Sequence, residues 1–192
     1  MDREAATRVF ANGGKGPLIL AMLQAGNTTS AIQRLLTFGV DSTLLSAALS
    51  GVLTQRLVRR ICPQCEQSYE PRRSVLDEWF RCEPPFSGWR RGAGCERCDG
   101  IGFLGRIVIS ELWVPSAEER VRIAQATDVA SLREAALQRD RCIGQDALEQ
   151  VVQGRTTLEE ALKRVPYEDV VYTRLHGLEK DKSGIDDLRE AV

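Results

Sequence analysis

Apolar positions follow a helical rhythm in some stretches of the chain and form continuous runs in others. Asp2 to Ala11 reads as a helix with Val9 and Phe10 turned inward. Gly13-Gly14 is its expected stop, because glycine tolerates the left-handed turn that closes a helix. Leu18-Ile19-Leu20-Ala21-Met22-Leu23 is apolar at successive positions, which predicts a strand buried on both faces, as in a parallel sheet flanked by helices. Thr28 or Thr29 is expected to cap a helix striped by Ile32, Leu35 and Leu36 and closed by Gly39. Asp41 or Ser42 caps another, carrying Leu44, Leu45, Ala48, Leu49 and Val52, and Arg56 to Ile61 reads as a short basic strand.

Residues 66–94 form a polar insert with one amphipathic segment, Val75 to Phe80, and a turn-rich stretch holding Pro84, Pro85, Gly88, Gly92 and Gly94. Arg106 to Val114 is the clearest strand, rich in β-branched and aromatic side chains and ended by Pro115. Short amphipathic helices are predicted over 116–126, 129–139, 144–153 and 157–164, with Gly144 and Gly154 as breakers. Thr156 with Glu159, or Thr157 with Glu160, can form a capping box. Beyond Pro166 the chain is charged and weakly periodic, which predicts a loosely attached tail with one short helix near its end.

Composition narrows the class without naming a function. The 192 residues are 43% apolar and carry a formal net charge of -1, an ordinary soluble profile too short for a complete multidomain enzyme. Near-neutral charge argues against a strongly basic nucleic-acid surface. Met1-Asp2-Arg3-Glu4 lacks the basic start and apolar core of a secretory signal, and Leu18 to Leu23 is too short to span a bilayer. The expected location is the cytoplasm. The single histidine, His176, lies in the polar tail and leaves little material for histidine-dependent catalysis.

The candidate chemistry lies in the cysteines. Cys62-Pro63-Gln64-Cys65 and Cys95-Glu96-Arg97-Cys98 are two knuckles of identical spacing, and four thiolates suit a tetrahedral Zn²⁺. A two-residue gap lets both sulfurs of a knuckle face one ion, while Asp99-Gly100-Ile101-Gly102 supplies the flexible backbone such a turn needs. The loop between the knuckles closes at modest entropic cost when a metal holds its base. Four protein ligands leave no open position for substrate, so the zinc is expected to be structural. Two coincidental pairs of reduced cysteines, or a redox dithiol needing one pair, are the competing readings. Cys82 and Cys142 have no partner at ligand spacing. Arg56, Arg59, Arg60, Arg90, Arg91 and Arg97 flank the knuckles, either balancing the charge of a zinc tetrathiolate or contacting phosphate. In the second case Trp79, Phe80, Trp89 and Phe103 could stack on bases, although packing is the plainer role.

Lys15 after Gly13-Gly14 invites a phosphate-loop reading, but Val9 and Gly16 stand where GxxxxGK[ST] needs Gly and Ser or Thr. Taken in order, several segments resemble one family: Asp2-Arg3-Glu4-Ala5-Ala6, Gly16 to Leu23, Ala31 to Leu36, Gln55 to Cys65, Gly94 to Arg106 and Gly154 to Glu160. It is the secretion traffic ATPases of type II secretion and type IV pilus assembly, and the resemblance is collinear over roughly residues 2–165. It implies the C-terminal part of a RecA-like ATPase, after the P-loop, acidic box and Walker B segment. The family's histidine box would place His at Pro17 and at Gln24, and its Thr-Asn-Asp appears as Ala25-Gly26-Asn27, so nucleotide sensing is degenerate while the knuckles are intact.

The expected fold is therefore α/β, a truncated RecA-like ATPase C-terminal half with a zinc-stapled insert and a C-terminal helical bundle. The expected division is a RecA-like remnant at 1–61, a four-cysteine zinc subdomain at 62–106, a closing strand and helical region at 107–165 and a polar tail at 166–192. Structural Zn²⁺ on Cys62, Cys65, Cys95 and Cys98 is the expected cofactor, with ATP and Mg²⁺ bound only in a full-length family member. The resemblance implies hexameric secretion ATPase subunits and an inner-membrane platform protein as partners, a cytoplasmic location peripheral to that membrane, no transmembrane segment and no specific nucleic acid. Two further readings remain: a stand-alone pseudo-ATPase scaffold that binds a motor or its platform, and a free zinc module contacting nucleic acid.

Overall fold

Helices at both ends flank a mixed middle of strands and short helices in a computed structural model that describes residues 2–11, 17–84, 86–126, 129–139 and 141–176. Asp2 accepts from the Ala5 N–H and starts α1 (Arg3–Phe10), which buries Ala6 and Phe10. The Gly13-Gly14 stop lies outside the described residues. α2 (Thr28–Thr37) is capped by Asn27, one residue before the expected threonines, in a reciprocal box with Ser30. Asp41 caps α3 (Ser42–Ala48), as its short acceptor side chain predicts. β1 (Val52–Ile61) begins four residues earlier than its basic stretch and pairs with β4 (Phe103–Trp113). Between them come β2 (Glu66–Ser68), α4 (Arg73–Trp79), β3 (Arg90–Gly92) and a 3₁₀ turn at Glu96–Cys98. Then follow α5 (Ala117–Ala124), α6 (Val129–Arg139), α7 (Ile143–Val152), α8 (Leu158–Leu162) and α9 (Tyr167–His176).

The chain divides into two compact units, one of residues 1–54 with 111–140 and the other of 55–110 with 141–192. The first is held by Phe10, Ile32, Leu35, Val40, Leu45, Trp113, Ile123 and Leu132, which meet as one core. Ser42 and Ser46 of α3 donate to the carbonyls of Ala124 and Arg120, tying α3 to α5. The Trp113 indole N–H donates to the buried Glu119 carboxylate, which also accepts from the Ser116 N–H at the start of α5.

The expected strand over Leu18–Leu23 does not form: residues 18–25 carry no regular structure. Leu18, Ile19, Leu20 and Met22 stand 52–89% exposed, and only Leu23 packs against the first unit's core. A run that is apolar at every position needs neighbours on both sides to become a buried strand. Among the described residues, strand pairing is confined to β1 with β4 and β2 with β3, so that condition is unmet. The expectation of a parallel sheet flanked by helices is corrected in the same way.

The second unit packs Val58 and Ile109 of the two long strands against Val75 and Trp79 of α4 and against Ile143, Leu148, Val151, Leu158 and Val170 of the C-terminal helices. The segment after Pro166 differs from the loose tail expected there. α9 begins at the next residue and buries Asp169, Val170 and Thr173. Gly144 makes this possible, because a Cβ there would lie 2.4 Å from the Thr173 hydroxyl and 2.8 Å from the Asp169 carbonyl oxygen. The short helix expected nearer the chain's end lies outside the described residues.

One ion pair braces β1 against α8. Arg59 donates from its backbone N–H and from two guanidinium nitrogens, at 3.0 and 2.7 Å, to Glu160, while its ring-facing side lies 4.1 Å from the Phe103 centroid. Burial alone would raise the Glu160 pKa, but the bonds from Arg59 and the nearby Arg164 outweigh it and hold this carboxyl below the ordinary carboxylate value. A depressed acid contributes stability above its unfolded pKa and loses it as pH falls through the folded one. Acidification below about pH 4.5 is therefore expected to loosen the second unit, and Glu160→Gln should flatten that part of the pH profile of thermal unfolding. An identical acid limb in the variant would show that this pair does not carry the effect.

Candidate metal centre

The two cysteine knuckles converge because the chain between them folds back as an antiparallel ladder. Glu66, Gln67 and Ser68 pair with Gly92, Arg91 and Arg90. The ladder joins the residue after Cys65 to the approach of Cys95, and the Ala93 N–H continues it by donating to the Cys65 carbonyl at 2.8 Å. From the other side, the Cys62 N–H donates to the Gly102 carbonyl at 3.0 Å. Each knuckle is thus fastened by backbone to the loop that carries the other.

The sulfurs of Cys62, Cys65, Cys95 and Cys98 all lie within 4.8 Å of one another. Three of the separations are 3.9 Å (Cys62 to Cys95), 3.8 Å (Cys65 to Cys98) and 3.7 Å (Cys95 to Cys98). A tetrahedron with metal–sulfur arms of about 2.3 Å has edges of about 3.8 Å. The donor set therefore fits a tetrahedral thiophilic ion in both chemistry and spacing. Cys62 and Cys98 are buried, and Cys65 and Cys95 are half-buried.

Backbone N–H groups are already turned toward the sulfurs. Gly94 donates to Cys65, and Cys95 and Gly102 donate to Cys98, each at 3.3 Å. These donors act on the thiols as they act on thiolates in a metal site, by stabilising negative charge. The Cys95 and Gly102 N–H groups lower the Cys98 thiol to about 6 against the cost of its burial. Burial pushes the Cys65 thiol up to about 12 despite the Gly94 N–H. Metal binding requires the thiols to give up their protons, and these N–H donors favour the charged form.

The remaining cysteines take no part. Cys82 is exposed, and the buried Cys142 sits at the start of α7 with its sulfur 3.3 Å from the Thr173 hydroxyl. His176 is at the end of α9, stacked on Tyr172. The aromatics considered for base stacking are engaged elsewhere: Trp79 and Trp89 are core residues, Phe80 packs edge-on to Trp89, and Phe103 faces Arg59. Arg59 is held by Glu160, Arg90 lies 3.6 Å from Glu66, and Arg91 lies over Tyr69. The Gly94 and Gly102 donors and the Glu160 brace had no signal in the cysteine spacing. By local pattern the two glycines read as turn residues and Glu160 as part of a helix cap.

The site is thus a four-cysteine cluster whose spacing could hold a metal ion, carried on a mixed helix and strand chain. The sequence profile of the type II/IV secretion system protein family matches residues 2–163, and the chain belongs to that family. It is 40% identical over 166 residues to the type IV pilus assembly ATPase PilB of Thermus thermophilus, covering 85% of this chain and 19% of that protein. It is 36% identical over 163 residues to the type II secretion system protein HxcR of Pseudomonas aeruginosa, covering 84% and 31%. With the type II secretion system protein E of Aeromonas hydrophila the identity is 34% over 172 residues, covering 88% and 33%. The chain therefore spans a fifth to a third of the length of these relatives. Among the described residues, no helix is long and apolar enough to cross a membrane.

Proposed function

We propose that this chain is the zinc-bearing C-terminal segment of a type II secretion or type IV pilus assembly ATPase, with Cys62, Cys65, Cys95 and Cys98 as ligands of a structural Zn²⁺. The observation that carries the reading is a tetrahedral array of four sulfurs inside a chain matched to the family over residues 2–163. Zinc accepts four thiolates without geometric preference of its own and, so bound, supplies a redox-inert cross-link with no open position for substrate. The protein's part is to hold the sulfurs at tetrahedral spacing and to neutralise them through the Gly94, Cys95 and Gly102 N–H groups.

In this reading the first part of the chain is the remnant of a RecA-like ATPase domain, and the exposed Leu18–Met22 segment is covered by sheet strands supplied elsewhere in the full motor. The motor is a cytoplasmic hexamer working with a platform protein at the inner membrane. These 192 residues contain no GxxxxGK[ST] and so do not by themselves provide a phosphate cradle.

One observation favours the related reading of a pseudo-ATPase scaffold. Where the family resemblance places a nucleotide-sensing Thr-Asn-Asp, Asn27 is buried and its side-chain oxygen caps α2 by accepting from the Ser30 N–H at 2.8 Å. That oxygen is committed to the helix start. Both readings predict one zinc per purified chain by elemental analysis and no ATP turnover. ATP hydrolysis that co-elutes with the pure chain would overturn the inactivity, and iron or no bound metal would overturn the zinc centre.

A further inference from the structure

The four ligands do not account by themselves for how two loops approach closely enough to share an ion. Gly92, at the end of β3, and Gly102, four residues after Cys98, meet backbone to backbone. A Cβ built on Gly92 would lie 1.9 Å from the Gly102 carbonyl oxygen, and one built on Gly102 would lie 2.5 Å from the Gly92 carbonyl oxygen. A second contact of the same kind lies alongside, where a Cβ on Gly94 would be 2.6 Å from the Gly100 carbonyl oxygen. Side-chain atoms are not the obstacle at any of these positions, so rotamer changes cannot relieve the overlap.

The atoms met at this crossing are the ones that hold the sulfurs. The Gly102 carbonyl accepts from the Cys62 N–H at 3.0 Å, and the Gly102 N–H donates to the Cys98 sulfur at 3.3 Å. One peptide unit on either side of Gly102 therefore touches a ligand of each knuckle. Gly94 repeats the arrangement, with its N–H on the Cys65 sulfur.

We propose that Gly92 and Gly102 form a backbone clasp that positions the two cysteine knuckles for metal binding. This rests on reading the tetrad as a zinc centre. A methyl group at position 92 would have to displace the Gly102 carbonyl by about 1 Å to reach even the closest contact that Cβ atoms make. Metal–sulfur distances tolerate only about 0.2 Å. The Cys62 anchor and the Cys98 N–H···S bond would move together, and both knuckles would leave their ligand positions. Gly105 provides the contrast: like Gly102 it has a positive φ, of 79°, but a Cβ there meets nothing within 4 Å.

The test is a Co²⁺ and Zn²⁺ titration of the full chain, wild type against Gly92→Ala, with Gly105→Asn as the control because asparagine tolerates the left-handed region. Gly92→Ala is expected to weaken zinc binding about 10- to 100-fold, the range seen when supporting groups around a metal are lost, and to alter the tetrahedral Co²⁺ absorption at saturation. Gly105→Asn should bind as the wild type does. Equal affinity and identical Co²⁺ spectra for Gly92→Ala and wild type would overturn the clasp while leaving the zinc centre in place. A wild type that binds neither ion would instead overturn the zinc reading. If Gly92→Ala yields no soluble chain, amide exchange in the zinc-loaded wild type decides. The Cys62 and Ala93 amides are expected to exchange slowly, and exchange at the free-peptide rate would overturn the clasp.

Discussion

Cys95→Ser is expected to abolish stable zinc binding and to release the ladder between the knuckles. Its sulfur lies 3.9 Å from Cys62 and 3.7 Å from Cys98, so its loss removes one corner that touches both knuckles. A serine hydroxyl is a poor ligand for zinc near neutral pH because it keeps its proton, and three thiolates leave the ion open to water and chelators. Structural zinc sites carry about 10–16 kcal/mol of binding free energy that is also folding free energy. The effect should therefore appear in both metal content and structure: less than one zinc per chain after chelator dialysis, and loss of amide protection across residues 66–94. Cys82→Ser, at an exposed cysteine outside the tetrad, should retain its metal. Full zinc content in Cys95→Ser would refute the four-ligand assignment.

Glu111→Ala should strongly destabilise the first unit. Glu111 lies on β4 with its side chain 3% exposed, accepts a bond from the Thr28 hydroxyl at 2.5 Å and receives both terminal nitrogens of Arg133, whose side chain is 12% exposed. Truncating the acid leaves a guanidinium out of water without its counter-charge, a loss of about 3–5 kcal/mol. Set against total stabilities of about 5–15 kcal/mol, that is enough to unfold much of the unit at moderate temperature. Replacing both partners by leucine should cost less than the single change, because no uncompensated charge is then buried. Urea unfolding of the two variants checks the pair. A single-variant loss below about 1 kcal/mol would mean that water reaches Arg133 and that the pair behaves as a surface bridge.

Much of this organisation is legible along the chain wherever its cause is local. Asp41 announces a helix start because a short side-chain oxygen three residues before a free N–H needs no distant partner. The β-branched and aromatic run to Trp113 announces β4, and Val75 to Phe80 announces α4, although the structured segments differ by a few residues at their ends. The cysteine tetrad is readable for the same reason, since a two-residue spacing fixes how far apart two sulfurs can lie within one knuckle.

Elements whose stability depends on a distant partner were not legible. Leu18–Leu23 has the composition of a central strand, yet among the described residues no strand flanks it and its backbone has no ladder to join. β2 and β3 are only three polar residues each, Glu66–Ser68 and Arg90–Gly92, and carry no alternation to announce them. α9 follows Pro166 with weak amphipathic pattern, and its place depends on Gly144 admitting Thr173 against α7.

The order of residues along the chain is enough to mark the Asp41 cap of α3, the long β4 strand, the two knuckles and their suitability for a thiophilic ion. Each of these is set within a few residues by hydrogen-bond reach, side-chain branching or ligand spacing. The meeting of distant groups is visible in the folded chain alone: Glu111 with Arg133 and Thr28, Arg59 with Glu160, and Gly92 with Gly102. Such meetings depend on the path of the whole backbone, because burial makes a charge seek its partner and a missing Cβ matters only where a second backbone passes within contact distance.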